Sequence, residues 1–576
     1  MSNKANKQGL FIHWRFVLVM VVVCLVFTAL VSRAAYIQVI APDKLIYEGD
    51  LRSIRTKTGY AERGVITDRF GNELAVSVPV RAIWADPKHV VEQNSFADGE
   101  AWAALAKVLE TDVASLQSRV SDPHRRFVYL QRQVSSAVAN YVDKLKIKGV
   151  YLKPESRRFY PTGEVSAHLV GFTNIDDHGL EGIEGSYDDW LTGEPGKRQV
   201  RKDRLGRVVE DLAVIHQAKQ AQDIALSIDQ RIQALAYREL KKAVADTRAT
   251  SGSVVVLDID TGEVLAMVNS PSFNPNNRNE FQSYRYRNRA ISDSYEPGST
   301  VKPLSVLAAL EAGHVKTNSM INTNPGWMRI GGRRVRDSHN YGEISLTKVI
   351  QKSSNVGTSQ LALKVGVEGL LDTFYRVGFG NGAGLGLVGE SAGLMPQRRR
   401  WSDFELATLS FGYGLMVTPL QLAQAYATIG AGGIFRPASI IKLQKAAPGE
   451  RVFKESTAKA VLQMMESVVH EGGTGLKAAV PGFRIAGKTG TSRKAIRGGY
   501  GDDYVAIFAG VAPASHPKLA VVVFVNEPKT DSYYGGVVAA PVFSKVMQAG
   551  LQYLNVAPDD DDGRIVKLSG GVDSET

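Results

Sequence analysis

The apolar and polar residues of this chain change periodicity from one segment to the next. Residues 16–31 read FVLVMVVVCLVFTALV, an uncharged and almost wholly apolar run with Trp14 before it and Tyr36 after it. A helix rises about 1.5 Å per residue, so the segment between these aromatic residues can cross roughly 30 Å of hydrocarbon. Aromatic residues are frequent at membrane interfaces. The pattern predicts a transmembrane helix at 16–36.

The residues on either side of this run indicate the orientation of the chain. Lys4, Lys7 and Arg15 precede it, which predicts a cytoplasmic tail at 1–15 and export of the remainder. The alternative is a cleaved signal peptide, because the small residues of the SRAA sequence at 32–35 could suit a peptidase. The length of the run favours an uncleaved anchor, and both interpretations export the bulk of the chain.

The exported part shows two strand patterns and one helical pattern. RGVITDRFGNELAVS at 63–77 alternates around a Phe-Gly-Asn turn, and GSVVVLDIDTGEVLAMVNS at 252–270 does so around Asp-Thr-Gly, so each predicts a β-hairpin. The stretch 100–146 has the spacing of amphipathic helices. A change of composition near residue 220 predicts two domains, at 37–220 and at 221–557.

Composition adds three limits to this picture. A chain of 576 residues, 44% hydrophobic and 22% charged, is typical of folded protein with more than one domain. The net charge of +11 does not indicate nucleic acid, because no basic run or motif of that kind is present; a basic surface near anionic lipid or polymer is the simpler interpretation. Cys24 is the single cysteine, and residues 558–576, which begin near four aspartates, are predicted to be disordered.

One group of polar residues could be taken for a metal site. His168 and His178 lie near Asp176, Asp177 and Glu184, but the set lacks a recognised ligand spacing. We interpret these residues as hydrogen-bonded polar groups of a loop-rich domain, and we expect neither a metal nor a cofactor.

Candidate chemistry begins at residues 295–303, YEPGSTVKP, where Ser299 precedes Lys302 by three positions. The same Ser-x-x-Lys spacing occurs at Ser345 to Lys348, Ser439 to Lys442, Ser456 to Lys459 and Ser515 to Lys518. Ser299 is the only one of these serines that directly follows Pro-Gly at a predicted helix start, and the residues after it have helical spacing. We therefore select Ser299 as the candidate nucleophile.

The predicted helix start has three consequences for Ser299 and Lys302. Residues three apart share a helix face, so the hydroxyl and the amine can meet. The Ser299 N–H lies in the first turn without an intrahelical partner, and can donate to a developing oxyanion. Burial of the apolar helix desolvates Lys302, which lowers the pKa of its amine and supplies the neutral base that proton abstraction requires.

Two later motifs provide a proton relay and a carboxylate binder. Ser353 and Asn355 form Ser-x-Asn before a helical run, and offer a hydroxyl relay and an amide for a substrate peptide group. FRIAGKTGTSRK at 483–494 carries Lys488 as a cation, Thr489 and Thr491 as hydroxyl donors, and Gly490 to admit a substrate backbone. An earlier Lys-Thr-Gly at 57–59 is interpreted as chance or a loop.

The ordered set resembles the motifs of penicillin-binding proteins and class A β-lactamases. Ser-Ser-Asn at 353–355, where the family form has Ser-Asp-Asn, favours the former. RGVITDRFGNELA and RRFYPTGEVSAHLVGF resemble the pedestal of class B enzymes, and QKSSNVGTSQLAL, RWSDFELATLSFGYGLMVTPLQLAQAYATIG and YVAIFAGVAPAS resemble their transpeptidase domain. Over nearly its whole length the chain is similar to the division-specific peptidoglycan D,D-transpeptidases of Gram-negative bacteria.

The resemblance implies an α+β multidomain fold. After the N-terminal transmembrane helix we expect an elongated α+β pedestal without glycosyltransferase activity. A C-terminal penicillin-binding/serine-transferase domain should follow, with a mainly antiparallel sheet covered by helices. The implied localisation is the bacterial inner membrane at the division septum, with a cytoplasmic N-terminus and a periplasmic catalytic domain.

The resemblance also implies the chemistry and the partners. Ser299 would attack the penultimate D-Ala carbonyl of a peptidoglycan stem peptide, with Lys302 as base, Ser353 as relay and Asn355 holding the peptide. The terminal carboxylate would bind Lys488, Thr489 and Thr491, and the N–H groups of Ser299 and Thr491 would form the oxyanion hole. Glu296, Tyr413, Arg493 and Tyr534 are weaker candidates for the cleft. Expected partners are lipid-linked nascent glycan, a membrane glycan polymerase of the shape, elongation, division and sporulation type, other divisome proteins, and β-lactams as inhibitors.

Three alternatives remain open at this point. A D,D-carboxypeptidase or β-lactamase-like hydrolase would need a positioned water, for which the sequence offers no motif. A non-enzymatic β-lactam sensor would carry further membrane spans and a cytoplasmic effector. An elongation-type class B transpeptidase shares all three motifs, and only overall similarity favours the division enzyme.

Overall fold

The computed structural model describes residues 8–40, 42–58, 62–194, 196–203, 208–217, 219–277, 282–496 and 498–560. The contacts divide the chain into two compact units. The first unit comprises Met1–Glu62 and Gly193–Ala221, and the second comprises Arg63–Thr192 and Gln222–Thr576. The limits of these two units differ from the domain limits expected from the sequence, at 37–220 and 221–557. The expected domain limits stay a prediction.

The described helices are α1 Gln8–Ala35, α2 Pro42–Ser53, α3 Pro87–Glu92, α4 Gly99–Val108, α5 Val113–Arg119, α6 Ser136–Leu145, α7 Ala167–Val170, α8 Gly182–Ser186, α9 Asp188–Leu191, α10 Gln230–Asp246, α11 Ser283–Tyr286, α12 Arg289–Ser292, α13 Lys302–Glu311, α14 Leu346–Gln351, α15 Asn355–Arg376, α16 Asp403–Ser410, α17 Pro419–Gly430, α18 Glu455–Glu466, α19 Gly535–Val538 and α20 Ala540–Tyr553. The described strands are β1 Ile54–Thr58, β2 Ile66–Thr67, β3 Glu73–Ala85, β4 Val128–Val134, β5 Val150–Phe159, β6 Phe172–Thr173, β7 Gly179–Glu181, β8 Lys197–Lys202, β9 Val208–His216, β10 Ile224–Ala225, β11 Ser251–Asp258, β12 Val264–Ser270, β13 Met320–Asn322, β14 Trp327–Ile330, β15 Arg333–Arg336, β16 Glu343–Ser345, β17 Ile434–Phe435, β18 Glu450–Arg451, β19 Ala486–Ile496, β20 Gly499–Ala512 and β21 Leu519–Asn526.

The first unit contains the apolar helix and a three-stranded sheet. Helix α1 continues through a π-helical turn at Tyr36–Ile40, and over His13–Ile40 its length and mean hydropathy of 2.6 suffice to cross a membrane. The sheet has the order β1-β8-β9, with antiparallel pairing throughout. Lys57 and Thr58 of the earlier Lys-Thr-Gly lie in β1 rather than in a loop, and Gly59 lies outside the described residues.

The second unit begins with a small sheet packed on helices. The sheet has the strand order β10-β2-β3-β4, and β5 also pairs with β3. The antiparallel pairing of β2 with β3 confirms the hairpin expected at 63–77. Helices α4 and α6 cover this sheet through a core around Trp102, Leu105 and Val142. The helical interpretation of 100–146 was wrong in part, because β4 interrupts it at 128–134, where VYLQRQV pairs with β3.

A buried ion network joins residues of the second unit that are far apart in the sequence. Glu184 accepts hydrogen bonds from Arg63 Nε and Arg158 Nε, both at 2.6 Å, and the side chains of Glu184 and Arg158 are fully buried. The guanidinium of Arg63 also reaches Asp188 at 2.6 Å. Each buried charge therefore has an opposite charge and fixed hydrogen-bond partners, which such burial requires. His168 is likewise hydrogen-bonded: its Nε2 donates to the carbonyl of Arg285 at 2.7 Å.

The C-terminal region is built on a five-stranded sheet in the order β12-β11-β21-β20-β19, with antiparallel pairing, as expected. Successive side chains of β11 point to opposite faces of the sheet. Val254 and Val256 pack in a core with α10 and α20. Val255 and Leu257 pack in a core with α13 and α17 on the other face. The sheet is thus covered by helices on both faces. β19 forms one edge, and this position leaves it free to border a cleft.

The described chain ends at Asp560, inside the predicted tail. Asp559 accepts hydrogen bonds from the N–H of Arg484 at 2.7 Å and of Ser515 at 3.0 Å. Ordered contacts therefore extend beyond residue 557, and the rest of the predicted disordered segment lies outside the described residues.

The ion network yields a stability prediction. Glu184→Gln removes the charge between two buried guanidinium groups, and breaking a buried pair costs about 3–5 kcal/mol. Glu92→Gln is the control, because Glu92 forms an exposed pair with Lys88, and exposed pairs contribute about 1 kcal/mol or less. Denaturant unfolding of the full chain, followed by tryptophan fluorescence, measures both changes. Equal stability of the two variants would contradict a structural role for the network.

Candidate active site

Ser299 lies in a tight turn rather than in the regular helix that the sequence predicts. Gly298–Val301 forms a 3-10 turn, and α13 begins only at Lys302 because Pro303 is favoured in the first turn of an α-helix. Residues three apart eclipse each other in 3-10 geometry, so Ser299 and Lys302 lie on the same side. Gly298 has φ +53°, a conformation that side chains rarely adopt, and it positions Ser299 half-exposed at the surface.

Lys302 brings the first two motifs together. Its side chain is fully buried, and Nζ lies 2.5 Å from the Ser353 carbonyl oxygen, 2.7 Å from Asn355 Oδ1 and 3.1 Å from Ser353 Oγ. Within the described part of the chain, Lys302 and Ser299 share no hydrogen bond. The direct Ser–Lys pairing that the sequence suggests is therefore replaced by pairing of the lysine with Ser-x-Asn.

The surroundings of Lys302 favour its neutral amine. Burial lowers the pKa of Lys302 well below the ordinary 10.5, the charge of Lys488 lowers it further, and Asp337 opposes both. Three oxygen neighbours would suit an ammonium group as well. Ser353 Oγ is a hydroxyl, however, and can donate to the lone pair of a neutral amine that itself donates to the other two oxygens. The geometry and the pKa direction are thus compatible.

Ser353 and Asn355 are held by a residue that the sequence did not single out. Ser353 has φ +58°, and Ser354 caps α15 by accepting from the Gly357 N–H. The Asp337 carboxylate accepts from Ser354 Oγ at 2.6 Å and from the Asn355 N–H at 2.5 Å. Asp337 follows β15 in a loop and belongs to no motif, so no local signal in the sequence could have identified it.

The third motif packs directly against the serine turn. Gly490 of β19 lies so close that a Cβ there would meet Thr300 Cγ2 at 2.8 Å and the Pro297 carbonyl at 2.9 Å. Two residues along, Ser492 Oγ donates to the Glu296 carbonyl at 2.8 Å. The absence of a side chain at Gly490 thus allows the protein's own nucleophile turn to approach β19 closely, and the predicted approach of a substrate backbone at Gly490 stays a prediction.

Lys488 and its two threonines differ in their access to solvent. Lys488 is fully buried, its Nζ donates to the Thr489 carbonyl at 3.2 Å, and burial lowers the pKa of Lys488 to about 7. Thr489 is also buried, with its hydroxyl 2.7 Å from that of Thr474. Thr491 is half-buried and accepts from the Gly535 N–H at 3.0 Å, which leaves its own hydroxyl proton available to a ligand.

The weaker candidates lie around the same turn. Glu296 Oε1 accepts from the Gly414 N–H at 2.8 Å and from Tyr500 Oη at 3.1 Å, and burial raises the pKa of Glu296. The rings of Tyr413 and Tyr500 meet edge to face, with centroids 5.4 Å apart. Tyr534 is 57% exposed. Glu296 thus connects the serine turn to two neighbouring segments.

Together these contacts define one site: a half-exposed serine, a buried amine behind it, a Ser-x-Asn turn on one side and a strand edge with a second lysine on the other. Such a set can activate a hydroxyl for acyl transfer and bind an anionic group. The class of protein that this fold and site define is a serine acyltransferase.

Comparison with known proteins gives the family. The family model for the penicillin binding protein transpeptidase domain matches residues 252–548, just over half of the chain, and that for the penicillin-binding protein dimerisation domain matches 58–226. The chain is 54% identical over 559 residues to the peptidoglycan D,D-transpeptidase FtsI of Escherichia coli (strain K12), which covers 97% of this chain and 95% of that protein.

Solved structures agree with this result. Penicillin-binding protein 3 from Mycobacterium tuberculosis superposes with a TM-score of 0.67 at 29% identity, covering 88% of this chain and 98% of that one. The transpeptidase domain of penicillin-binding protein 3 from Burkholderia pseudomallei gives a TM-score of 0.54 at 39% identity, covering 58% and 98%. The chain belongs to the class B penicillin-binding proteins.

The close packing of Gly490 generates a test of the site. In Gly490→Ala the new methyl group must displace either the serine turn or β19, and misplacement of about 1 Å can cost a hundredfold in rate. We expect the rate of labelling by a fluorescent penicillin to fall on the order of a hundredfold. Gly382→Ala is the control, since its nearest neighbour lies at 3.8 Å. Labelling of Gly490→Ala at the control rate would contradict the packing described here.

Proposed function

We propose that this chain is a peptidoglycan D,D-transpeptidase that cross-links stem peptides of the septal wall through an acyl-serine intermediate. The observation that carries the proposal is the buried Lys302 amine, hydrogen-bonded to Ser353 and Asn355 behind the half-exposed Ser299. Its 54% identity to a peptidoglycan D,D-transpeptidase over 97% of the chain supports the substrate class.

In the first step Ser299 Oγ attacks the carbonyl carbon of the penultimate D-Ala. The neutral Lys302 amine takes the hydroxyl proton, since burial disfavours its charged form. The Ser299 N–H, which within the described residues has no backbone partner, faces no competitor when the oxyanion forms. The C–N bond breaks, an ester forms on Ser299, and the proton held by Lys302 passes through the Ser353 hydroxyl to the departing amine of the terminal D-Ala, which leaves Lys302 neutral again.

The substrate is held by the two flanking motifs. Asn355 places its amide beside the peptide, since its Oδ1 accepts from Lys302 and its Nδ2 donates to the Arg336 carbonyl at 3.1 Å. The terminal carboxylate binds the Thr491 hydroxyl and the Lys488 charge, with Thr489 hydrogen-bonded beneath them. Approach of a carboxylate raises the pKa of Lys488, so substrate binding is coupled to uptake of a proton.

In the second step the amine of a diamino acid from a neighbouring strand attacks the ester, Ser299 regains its proton and the cross-link forms. β-Lactams acylate the same serine as analogues of the D-Ala-D-Ala end. Covalent catalysis of this kind relies on protein groups alone.

We further propose that the chain is a single-pass protein of the bacterial inner membrane, with residues 1–15 in the cytoplasm and the catalytic domain in the periplasm at the septum. The basic residues before the apolar helix support this orientation. In this account a membrane polymerase of the shape, elongation, division and sporulation type supplies nascent glycan, and other divisome proteins act with the pair.

The nucleophile assignment is tested by mapping the adduct. Incubation with a penicillin should give one long-lived, stoichiometric label on the peptide that contains Ser299, because this serine lies in the turn that leads directly into Lys302. Ser299→Ala should abolish the label, and Ser456→Ala, which alters another Ser-x-x-Lys serine, should leave it unchanged. A label that survives Ser299→Ala would overturn the assignment, and release of the adduct within seconds would favour a hydrolase.

The pKa of Lys488 predicts the pH dependence of ligand binding. The pKa of about 7 means that the amine is charged below pH 7 and loses its proton above it. Because a carboxylate binds the charged form, the Kd of the non-covalent penicillin complex that precedes acylation should rise as pH increases from about 6 to 9, roughly tenfold per unit well above 7. This Kd is obtained from the dependence of the acylation rate on penicillin concentration, and a Kd that does not change over this range would show that Lys488 does not pair with the carboxylate.

The division role is tested separately from the chemistry. Depletion of the protein in its host should give filaments with intact lateral growth, because septal cross-linking is lost. Rounded cells would instead indicate the elongation-type enzyme.

A further inference from the structure

The Asp337 carboxylate is hydrogen-bonded to the Ser-x-Asn turn and to the first turn of α15. One oxygen, Oδ1, accepts from the Asn355 N–H at 2.5 Å and from the Val356 N–H at 3.0 Å, and Oδ2 accepts from Ser354 Oγ at 2.6 Å. The N–H groups of Asn355 and Val356 are among the first of α15, where no intrahelical acceptor is available. A carboxylate at this end of a helix is also favoured by the helix dipole.

The loop that carries Asp337 is itself fixed. The Asp337 N–H donates to the Gly326 carbonyl at 2.9 Å, and the preceding strand β15 pairs with β14. The Arg336 carbonyl accepts from Asn355 Nδ2 at 3.1 Å. Two consecutive residues of the loop therefore hold both the backbone and the side chain of Asn355.

The turn needs such support because Ser353 is strained. Its φ of +58° is rare for a residue with a side chain and costs on the order of 1 kcal/mol or more unless neighbouring contacts stabilise it. This conformation directs the Ser353 carbonyl to Lys302 Nζ at 2.5 Å, next to the Asn355 Oδ1 contact. Relaxation of the turn would withdraw both oxygens from the amine.

We propose that Asp337 is a positioning residue of the transpeptidase: its carboxylate holds the Ser353–Asn355 turn in the conformation that receives the Lys302 amine. This inference rests on the proposed function of Ser299 and Lys302 and adds a residue that lies outside the three motifs. Within the described residues Asp337 has no hydrogen bond or ion pair with Ser299 or with β19, so it acts through Asn355 and Ser354.

Asp337 also bears on the charge of the base. It is the negative group that opposes the lowering of the Lys302 pKa, while burial and Lys488 act in the other direction. The charges that act on the pKa of Lys302 are those of Lys488 on β19 and of Asp337, and Arg336 beside Asp337 is exposed. Removal of the carboxylate charge therefore lowers the pKa of Lys302 further, and the neutral amine forms at lower pH.

The test measures the second-order rate of acylation by a penicillin against pH, with the full chain in detergent. Wild type and the variants Asp337→Asn and Asp337→Glu are compared. Asp229→Asn is a matched control, because Asp229 is a fully buried N-cap of α10 in the same region. Acylation of wild type at Ser299 reports on the proposed function, and the ratio of variant to wild type reports on Asp337.

We expect Asp337→Asn to lower the rate on the order of tenfold or more, and to move the acid limb of the profile to lower pH, because that limb reports the pKa of the base in the free enzyme. Asp337→Glu keeps the charge, so its rate falls but its acid limb stays at the wild-type position. The Asp229→Asn control should change neither the acylation rate nor the pH position of the acid limb.

Two results would overturn the inference. One is an Asp337→Asn variant that acylates within about twofold of wild type. The other is a reduced rate with an unmoved acid limb, which indicates a structural effect alone. If Asp337→Asn does not fold, the Glu variant decides: an acid limb displaced from the wild-type position contradicts the proposal.

Discussion

The site depends on the burial of one amine. Lys302 has no exposed surface, and its Nζ is surrounded by the oxygens of Ser353 and Asn355. An exposed lysine would be charged at neutral pH and useless as a base, whereas desolvation makes the neutral form accessible. The buried Lys302 amine, hydrogen-bonded to Ser353 and Asn355, can then accept the proton of the partly exposed Ser299 hydroxyl.

The fold supplies this burial by bringing together three segments that are far apart in the sequence. Helix α13 packs under the five-stranded sheet and is buried along most of its length, α15 presents the Ser-x-Asn turn at its N-terminus, and β19 is the edge strand that borders the site. The contact of Gly490 with Thr300 and Pro297 sets the distance between sheet edge and serine turn. A second buried lysine on β19 adds positive charge, which further lowers the pKa of the first.

Motif order and helix periodicity were enough to predict which residues meet. Ser299, Lys302, Ser353, Asn355 and the strand from Lys488 to Thr491 have chemical types and local settings that a sequence displays directly, and the structure brings them together; their individual roles stay predictions. Asp337 was not predictable, because it is a common residue in a short loop and acts through contacts with α15. β4 was missed because its seven residues are flanked by helical patterns. The 3-10 turn at Ser299 was missed since helical spacing does not distinguish it from an α-helix.

Titration of the Lys302 side chain shows whether this amine is neutral at the pH at which the enzyme works. The full chain carrying lysine labelled with 13C at Cε, in detergent, is compared by NMR with Lys302→Met, so that the missing signal assigns the residue. We expect the Lys302 signal to titrate well below 10.5, and Asn355→Ala to alter its chemical shift. A Lys302 signal that titrates at the ordinary value of an exposed lysine would rule out Lys302 as the base, because the amine would then be charged wherever the enzyme works.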